Sequence, residues 1–273
     1  MRTIAGKRIF ITGASSGIGR ALALELARKG ARLALAGRTL GGLEEVAREV
    51  TRAAGGQAKP LALVCDVCDQ AMVRGAVGAA VREFGGLDIL VNNAGAGVYG
   101  DAEKTTIEDF RAIMEVNFYG ALRCSMEALP ALKASRRGLI IDIASVAALR
   151  GVPYLAAYSA SKAALAALGQ SLRAELGVAG VDVMVVYPNY TRTDFFLRER
   201  RVGGARRPAS GYADPAKVAA AVVRAVEKGK NELVLSAEGK ALKWVRRLFP
   251  AAADKAMERT AARLREPREV CHE

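Results

Sequence analysis

The chain has 273 residues and a formal net charge of +13, with 51% of its residues hydrophobic and 25% charged. This composition predicts one large globular domain with a substantial core, and no window of 18 or more apolar residues lacks a charge, so we expect no membrane-spanning helix. Its one histidine, His272, is the penultimate residue, which argues against Ser-His-Asp catalysis and against a histidine-bound catalytic zinc. No apolar leader precedes the first strand-like run, so we predict a reduced, cytoplasmic protein without a signal peptide.

Two features of the composition could indicate metal or nucleic-acid binding. Cys65 and Cys68 form a C-x-x-C pair, but no second ligand pair follows, and we interpret them as the buried end of an apolar strand. The positive charge would suit nucleic acid, an acidic carrier protein or an anionic membrane. Because no nucleic-acid-binding motif accompanies it and aromatic residues make up 5% of the chain, we predict a solvated basic surface, no nucleic-acid partner and no metal.

Short β-branched runs alternate with alanine-rich stretches of helical period along the chain. This alternation predicts a parallel sheet covered by helices on both faces, and the near-continuous apolar strands indicate burial on both sides. We therefore predict one doubly wound α/β domain of the Rossmann type over residues 1–238, followed by a basic amphipathic helical extension over 239–273. Residues 106–134 predict one long helix or two. The predicted strands are RIFITG, ARLALAG, AKPLALVCD, LDILVNNAG, GLIIDIAS, VDVMVVYP and NELVLS.

The turn after the first predicted strand reads TGASSGIG and is rich in glycine. Glycine permits a tight turn and lets the backbone approach a pyrophosphate, while the N-terminus of the next helix supplies N–H groups and a favourable dipole. The spacing is G-x-x-x-G-x-G rather than the general G-x-G-x-x-G fingerprint, yet its position between a strand and a helix predicts a nucleotide site. The residues predicted to form it are Gly13, Ser15, Ser16, Gly17, Ile18 and Gly19.

The end of the second predicted strand indicates which nucleotide binds. An NAD site has an acidic residue here to hold the ribose 2′-OH, whereas this chain has Arg38 and Thr39. Because a guanidinium suits a 2′-phosphate, we predict NADP(H), with Arg38 as the main determinant and Thr39 or Ser15 as helpers. A solvent-facing Arg38 at a strand end is the alternative.

Further polar residues follow the third and fourth predicted strands. Asp66 and Val67 end the third strand, where a carboxylate could accept a hydrogen bond from an adenine amino group. Asn93, Ala94 and Gly95 follow the fourth strand. Open α/β sheets bind ligands at the carboxyl ends of their strands, so we expect all these segments to meet at one cleft.

Together these motifs resemble the short-chain dehydrogenase/reductase family over about residues 5–235. The resemblance rests on TGASSGIG, NNAG, Asn117 within EVNFYG, Ser145 within IDIAS, and YSASK, which carries Tyr158 and Lys162 at the family's distance from Ser145. It implies an oxidoreductase that transfers a hydride between NADP(H) and a small-molecule carbonyl or alcohol. It also implies a homodimer or homotetramer formed through the helices around 105–132 and 158–176.

The resemblance implies a catalytic role for each of four residues. Tyr158 would exchange a proton with the substrate oxygen, Ser145 would hydrogen-bond that oxygen, and Asn117 would anchor a water in a proton relay. Lys162 would hold the nicotinamide ribose and lower the pKa of the phenol; a shift of about three units requires about 4 kcal/mol, which a nearby ammonium can supply. Each residue also has a structural interpretation, such as a turn cap or a hydrogen-bonded helix residue.

The segment after the sixth predicted strand bears on both the cofactor and the substrate. The family resemblance places Pro188, Thr191 and Thr193 at the cofactor, with Asn189 where the family usually has glycine. A substrate loop follows at about 190–212; its basic part either attracts an anionic substrate or is solvated and disordered.

The extension has apolar residues at helical spacing with lysines and arginines between them, so it could lie on an anionic membrane. It could equally dock on its own domain or on a partner subunit. A tail of this kind resembles those of family members that act on lipid-like or steroid-like substrates, so the resemblance implies a bulky, apolar or lipid-like substrate. The alternatives are a 3-oxoacyl-(acyl carrier protein) reductase, which the basic surface would suit, and a non-catalytic NADP-binding sensor or scaffold.

Overall fold

The structure is a computed structural model that describes residues 2–56, 59–193, 195, 199–208 and 211–265. Strands and helices alternate along it, as the periodicity predicts. The strands are β1 (Arg8–Thr12), β2 (Arg32–Gly37), β3 (Leu61–Val64), β4 (Ile89–Asn92), β5 (Val98–Gly100), β6 (Gly138–Ile143), β7 (Val181–Tyr187), β8 (Arg200–Val202) and β9 (Glu232–Val234). The helices are α1 (Gly17–Arg28), α2 (Leu40–Ala53), α3 (Gln70–Phe84), α4 (Ile107–Met114), α5 (Gly120–Ala134), α6 (Ala156–Gly177), α7 (Pro215–Glu227), α8 (Ala237–Leu248) and α9 (Pro250–Leu264).

Seven parallel strands form the central sheet in the order β3-β2-β1-β4-β6-β7-β9. Helices cover both faces, which explains why the strands are apolar throughout rather than alternating. In β1, Ile9 and Ile11 pack towards α1, α2 and α7, while Phe10 packs towards α3, α5 and α6. The predicted doubly wound Rossmann-type α/β fold is confirmed.

The strand order reverses between β1 and β4, and this reversal opens a crevice at the carboxyl edge of the sheet. Thr12 joins the two strand ends: its hydroxyl donates to the carbonyl oxygen of Val91 (3.2 Å) and accepts from the N–H groups of Asn93 and Ala94 (2.9 and 3.0 Å). The segments after β1 and β4 are therefore fixed against each other at the crevice.

The helical region from 107 to 134 is continuous but not regular. Between α4 and α5, residues Glu115–Tyr119 form a π-helical turn, which accommodates one extra residue and is common at functional sites. Asn117 lies inside this turn and is fully buried.

The basic segment after β7 is folded onto the body over its described residues, 199–208. Strand β8 pairs with β5 in parallel, Arg200 forms an ion pair with Asp109 (2.7 Å), and Arg207 forms an ion pair with the buried Glu199. Of the four arginines in these residues, Arg200 and Arg207 pair with acids of the same chain, while Arg201 donates to the carbonyl oxygen of Ala205 (2.8 Å). Arg198, Ala209 and Ser210 lie outside the described residues.

The C-terminal helices pack beside the crevice. Helix α9 contacts the body through an ion pair between Asp254 and Arg150, and its main-chain carbonyls at Ala261 and Leu264 accept hydrogen bonds from Tyr154 Oη (3.0 Å) and from the N–H of Arg206 (2.7 Å). The end of the predicted extension, residues 266–273 with His272, lies outside the described residues. Over the described part of the chain, no helix has the length and apolar character needed to cross a membrane.

Candidate active site

A cleft of about 320 Å³ opens at the carboxyl edge of the sheet, within the volume range of small-molecule sites. It gathers predicted site residues that are spread along the chain from Gly13 to Thr193. Gly19 and Asn117 are not among the lining residues and pack behind them. The predicted residues that line the cleft are Gly13, Ser15, Ser16, Gly17, Ile18, Arg38, Thr39, Asp66, Val67, Asn93, Ala94, Gly95, Ser145, Tyr158, Lys162, Pro188, Thr191 and Thr193.

The glycine-rich turn between β1 and α1 depends on backbone angles and close packing. Gly13 (φ 62°) and Gly17 (φ 56°) lie in the left-handed region, which glycine adopts without strain. A Cβ added at Gly19 would lie 2.3 Å from the carbonyl oxygen of Gly13 and 2.5 Å from Nδ2 of Asn93. The missing side chain at Gly19 therefore lets α1 begin directly against the end of β1.

Helices α1 and α2, which begin at the cleft, leave their first N–H groups without a side-chain acceptor. Ser16 precedes α1 and Thr39 precedes α2, but neither side chain caps its helix and neither first turn carries an acidic residue. The N-cap side chains of α3, α4, α7 and α8 each accept a hydrogen bond from their own helix, whereas α6 and α9, like α1 and α2, have no side-chain cap. Two uncapped helix N-termini at one cleft fit the phosphates of a dinucleotide.

The turn between β2 and α2 forms one end of the cleft. Arg38 and Thr39 line this end and are exposed, so the guanidinium is accessible to a ligand. Asp66 also lines the cleft, where its Oδ1 accepts a hydrogen bond from the N–H of Cys68 (3.0 Å), which orients the carboxylate. The side chains present therefore fit a nicotinamide dinucleotide.

The C-x-x-C pair follows β3 at the floor of the cleft. Burial, and then the charge of Asp66, raises the pKa of both Cys65 and Cys68 to about 11, so their thiols stay neutral near pH 7. A neutral thiol is a poor nucleophile and a poor metal ligand. Among the described residues, no cluster of three or more histidine, cysteine or acidic side chains could hold a metal ion.

Ser145, Tyr158 and Lys162 meet at the centre of the cleft, between the end of β6 and the start of α6. Lys162 lies one helical turn after Tyr158, with Nζ 5.9 Å from the centre of the phenol ring. The buried ammonium donates a 2.8 Å hydrogen bond to the carbonyl oxygen of Ile143. The hydroxyl of Ser145 also accepts from the N–H of Ala147 (3.1 Å), so this serine caps the following turn as well as facing the cleft.

The protein environment affects the two titrating groups in opposite directions. Burial raises the pKa of Tyr158 to about 12, and a hydrogen bond with Ser145 opposes that rise. Burial lowers the pKa of Lys162 to about 8, and the charge of Asp142 opposes that fall. The expectation that Lys162 lowers the pKa of Tyr158 is not met by the protein groups alone, because desolvation of the phenolate outweighs the other interactions.

Asn117 holds together the segments around Tyr158 and Lys162. Its Nδ2 donates to the carbonyl oxygen of Ala96 (2.9 Å) and to Ser161 Oγ (2.9 Å), and its Oδ1 accepts from the N–H of Ala96 (2.8 Å). A Cβ added at Gly95 would lie 3.2 Å from Asn117 Oδ1 and 3.6 Å from Lys162 Nζ, so the amide and the ammonium are neighbours. Both N–H groups of the amide bind protein atoms, so the expected relay water would have to bind another atom of this residue.

Asp142 is a buried acid that the sequence-based reasoning did not identify. It lies in β6, and its Oδ1 accepts a 2.8 Å hydrogen bond from Asn92, whose Nδ2 also donates to Ser125 Oγ (2.9 Å). Burial raises the pKa of Asp142 to about 6, while Asn92, Lys162 and Arg173 oppose the rise. A carboxylate in an otherwise apolar strand was the signal available in the sequence.

The other end of the cleft is apolar and aromatic. Val152, Leu155, Tyr190 and Phe195 line it, and a buried cluster around Tyr99 and Tyr154 backs this wall.

The charged groups at this end bind protein partners. Glu199 lines the cleft and forms an ion pair with Arg207, whose guanidinium lies 5.0 Å from the centre of the Tyr99 ring. The described residues here therefore offer apolar contacts and few unpaired charges to a substrate.

Comparison with known proteins identifies this arrangement. The family model described as short chain dehydrogenase matches residues 7–201. A dehydrogenase/reductase SDR family protein 7-like from Anopheles gambiae is 33% identical over 271 residues, covering 96% of this chain and 86% of that protein.

Solved structures of other proteins have the same fold. An alcohol dehydrogenase from Thermococcus sibiricus, complexed with 5-hydroxy-NADP, has a TM-score of 0.75 and 31% identity, covering 84% of this chain and 95% of that one. A Burkholderia phymatum short chain dehydrogenase/reductase in complex with NAD has a TM-score of 0.81 and 25% identity, covering 98% and 99%.

The chain belongs to the short-chain dehydrogenase/reductase family. It is an oxidoreductase whose site fits a nicotinamide dinucleotide, as the sequence motifs predicted.

Proposed function

We propose that the protein is an NADP(H)-dependent oxidoreductase that interconverts a bulky apolar carbonyl compound and its alcohol. The observation that carries this proposal is that Ser145, Tyr158 and Lys162 meet between two ends of the cleft. The residues at one end fit a dinucleotide, and those at the other end are apolar and aromatic. A bound nicotinamide would supply or accept the hydride. The rest of the chemistry is proton transfer and charge stabilisation by these three side chains.

Tyr158 acts as the acid in the reductive direction: it is protonated at neutral pH, while its raised pKa makes it a weaker proton donor than a free phenol. At neutral pH the phenol keeps its proton and donates it to a carbonyl oxygen that becomes negative as hydride arrives. Ser145 hydrogen-bonds the same oxygen and stabilises the developing charge. Lys162 is buried, with its pKa lowered to about 8, and supplies a positive charge beside the phenol. It then provides the route by which a proton returns to Tyr158.

The proposed preference for NADP(H) depends on the turn between β2 and α2. Arg38 and Thr39 would hold the 2′-phosphate of the adenosine ribose, and the N-terminus of α2, which has no side-chain cap, would add N–H donors. The site residues proposed to hold the dinucleotide are the lining set given above, with Gly19 shaping the turn from behind.

The direct test is oxidation of NADPH over a panel of aldehydes, steroids, acyl thioesters and sugars. We expect turnover with bulky apolar carbonyls, loss of turnover in Tyr158→Phe with NADPH binding retained, and a much weaker response to NADH. Arg38→Ala should remove most of the discrimination between the two nucleotides while leaving NADH binding unchanged. Full turnover in Tyr158→Phe would contradict the proposed acid, and equal use of both nucleotides would contradict the role of Arg38.

Reduction of a 3-oxoacyl group on acyl carrier protein is the second candidate, favoured by the net charge of +13. It predicts saturation by the acyl carrier protein that weakens steeply with salt, because surface charges are screened. A non-catalytic NADP-binding sensor or scaffold would bind NADPH tightly and turn over no member of the panel.

Two interfaces are proposed beyond the active site. The first is a contact between copies of this chain through the helices around 105–132 and 158–176, the first of which carries the exposed apolar side chains Ile107, Tyr119 and Met126. Exposed apolar patches of this kind mark subunit contacts in many proteins. Sedimentation at equilibrium should therefore report a dimer or a tetramer.

The second interface is a contact of α8 with an anionic membrane. Trp244 and Leu248 are each 61% exposed on its outward face, Val245 lies beside them, and Lys240 and Arg247 flank them. Because Trp244 is the single tryptophan, its fluorescence should shift to the blue on vesicles containing phosphatidylserine and stay unchanged on phosphatidylcholine alone. We propose a cytoplasmic location at such a surface.

A further inference from the structure

Asp142 places a carboxylate in the interior of the sheet, behind the candidate active site. Its side chain is 1% exposed, and the described residues that line the cleft do not include it. Gly169 of α6 leaves room for it: a Cβ added at Gly169 would lie 2.9 Å from Asp142 Oδ2 and 2.7 Å from Val185 Cγ2. Burying a carboxylate this deeply costs several kcal/mol unless other groups compensate, so its partners indicate its purpose.

The elements packed around Asp142 contribute different partners. From β4, Asn92 stands opposite Asp142 in the strand register and donates to its Oδ1. From α5, Ser125 accepts the second N–H of Asn92 and donates its own hydrogen to the carbonyl oxygen of Ala121 (2.8 Å). These groups are neutral and hold the carboxylate in place.

The two cations that act on Asp142 both come from α6, on either side of Gly169. Arg173 donates to the carbonyl oxygens of Val183 (2.8 Å) and Asn231 (2.7 Å), at the end of the helix remote from the active site. Lys162 donates to the neutral carbonyl of Ile143, the residue that follows Asp142. This bond places the ammonium beside the strand position of Asp142, whose charge opposes the lowering of the Lys162 pKa by burial.

We propose that Asp142 is the counter-charge of Lys162, and that its carboxylate, held by Asn92, keeps the buried ammonium protonated at neutral pH. Asp142 is then a positioning residue that acts through Lys162. The consequence for turnover rests on the proposed function, since it requires the charge of Lys162 beside Tyr158. The directions of the two pKa shifts agree with this geometry: burial raises the pKa of Asp142 to about 6 and lowers that of Lys162 to about 8, so the carboxylate is negative over the range in which Lys162 changes charge.

The first experiment measures the titration of Lys162 directly, without substrate or cofactor. Lysine side chains labelled with ¹³C at Cε are followed by NMR from pH 5 to 11, and the Lys162 signal is assigned by its loss in Lys162→Arg. Asp142→Asn should lower the Lys162 midpoint by about one pH unit, because it removes an opposite charge in a buried site. The control is Asp182→Asn, the same change at an exposed carboxylate of β7, which should leave the midpoint unchanged.

The second experiment reads the consequence for turnover. In the reductive direction, the turnover rate of Asp142→Asn should equal that of the wild type near pH 6. Near pH 9 it should be about one tenth of the wild-type rate, because the alkaline limb of the pH–rate profile moves down by about one pH unit. A purely structural role would lower the rate equally at every pH, and that parallel profile would overturn the proposal. An unchanged Lys162 midpoint in the folded variant would overturn it as well.

If Asp142→Asn fails to fold, the coupling can still be tested by titrating the wild-type protein. Ionisation of Asp142 should produce a second, smaller inflection near pH 6 in the Lys162 signal, and the absence of that inflection would refute the coupling. Because these NMR measurements need no substrate, the proposal about Asp142 and the proposed function fail independently.

Discussion

The packing of Gly19 allows a prediction in which one type of substitution has opposite effects at two sites. Gly19 and Gly75 both lie inside helices, α1 and α3, where glycine to alanine ordinarily adds about 1 kcal/mol of stability. At Gly75 an added Cβ meets no heavy atom within 4 Å, so that gain should appear in full. At Gly19 the Cβ would lie 2.3 Å from a main-chain oxygen, which cannot rotate away.

The magnitude at Gly19 follows from these two contributions. Overpacking of this kind costs about 1–3 kcal/mol, and we take the upper end because the obstructing atom is backbone, so the net loss is about 2 kcal/mol. The change also displaces the turn of Gly13, so NADPH binding should weaken by about tenfold, equal to about 1.4 kcal/mol.

Urea denaturation and titration of NADPH fluorescence measure the two quantities. We expect Gly19→Ala to unfold at lower urea than the wild type and Gly75→Ala at higher urea, with NADPH affinity reduced in the first variant alone. If Gly19→Ala were as stable as Gly75→Ala and bound NADPH normally, the packing argument for this turn would be wrong.

Three further predictions concern the active site and its surroundings. Asn117→Ala removes three hydrogen bonds from a fully buried site and leaves both main-chain groups of Ala96 unpaired, so it should cost about 3 kcal/mol in urea denaturation and abolish turnover. Tyr154→Phe removes the hydrogen bond to the carbonyl oxygen of Ala261 and should cost about 1 kcal/mol; faster hydrogen exchange in α9, but not in α1, checks it. The reduction rate should fall tenfold per unit above about pH 8, as Lys162 loses its charge, and a flat profile to pH 10 would contradict the lowered pKa of that lysine.

The fold was predictable because its signals are local. Each strand is a short apolar run, each helix has its own period, and the glycines of the first turn stand where a strand meets a helix. These local patterns, read in order, also place the residues after β1, β2, β3 and β4 at one edge of the sheet. The lining of the cleft by residues from Gly13 to Thr193 follows from that topology.

The features that the sequence could not reveal depend on the register of local hydrogen bonds or on contacts between distant segments. The π-helical turn around Asn117 has no special residue in EVNFYG, and it is recognised by the register of hydrogen bonds alone. The role of Asp142 depends on α6, which passes over it at Gly169. The spacing of Tyr158 and Lys162 was visible, but the burial that separates their pKa values was not.

The C-terminal helices show a further reason why pattern was insufficient. An amphipathic sequence indicates that a helix has an apolar side, but it does not say what that side contacts. In α8, Trp244 and Leu248 face outward while Gly239 packs on Val146 and Val234.

The attachment of α9 has a consequence for the diversification of this enzyme. Tyr154 and the N–H of Arg206 bind α9 through main-chain carbonyl oxygens, at Ala261 and Leu264. Any helix-forming sequence presents such oxygens in the same places, so side chains of α9 other than Asp254, which pairs with Arg150, and the buried Ala253 can be exchanged while these two anchors persist. Because no described residue of α9 lines the cleft, such exchanges would leave the lining of the site as it is.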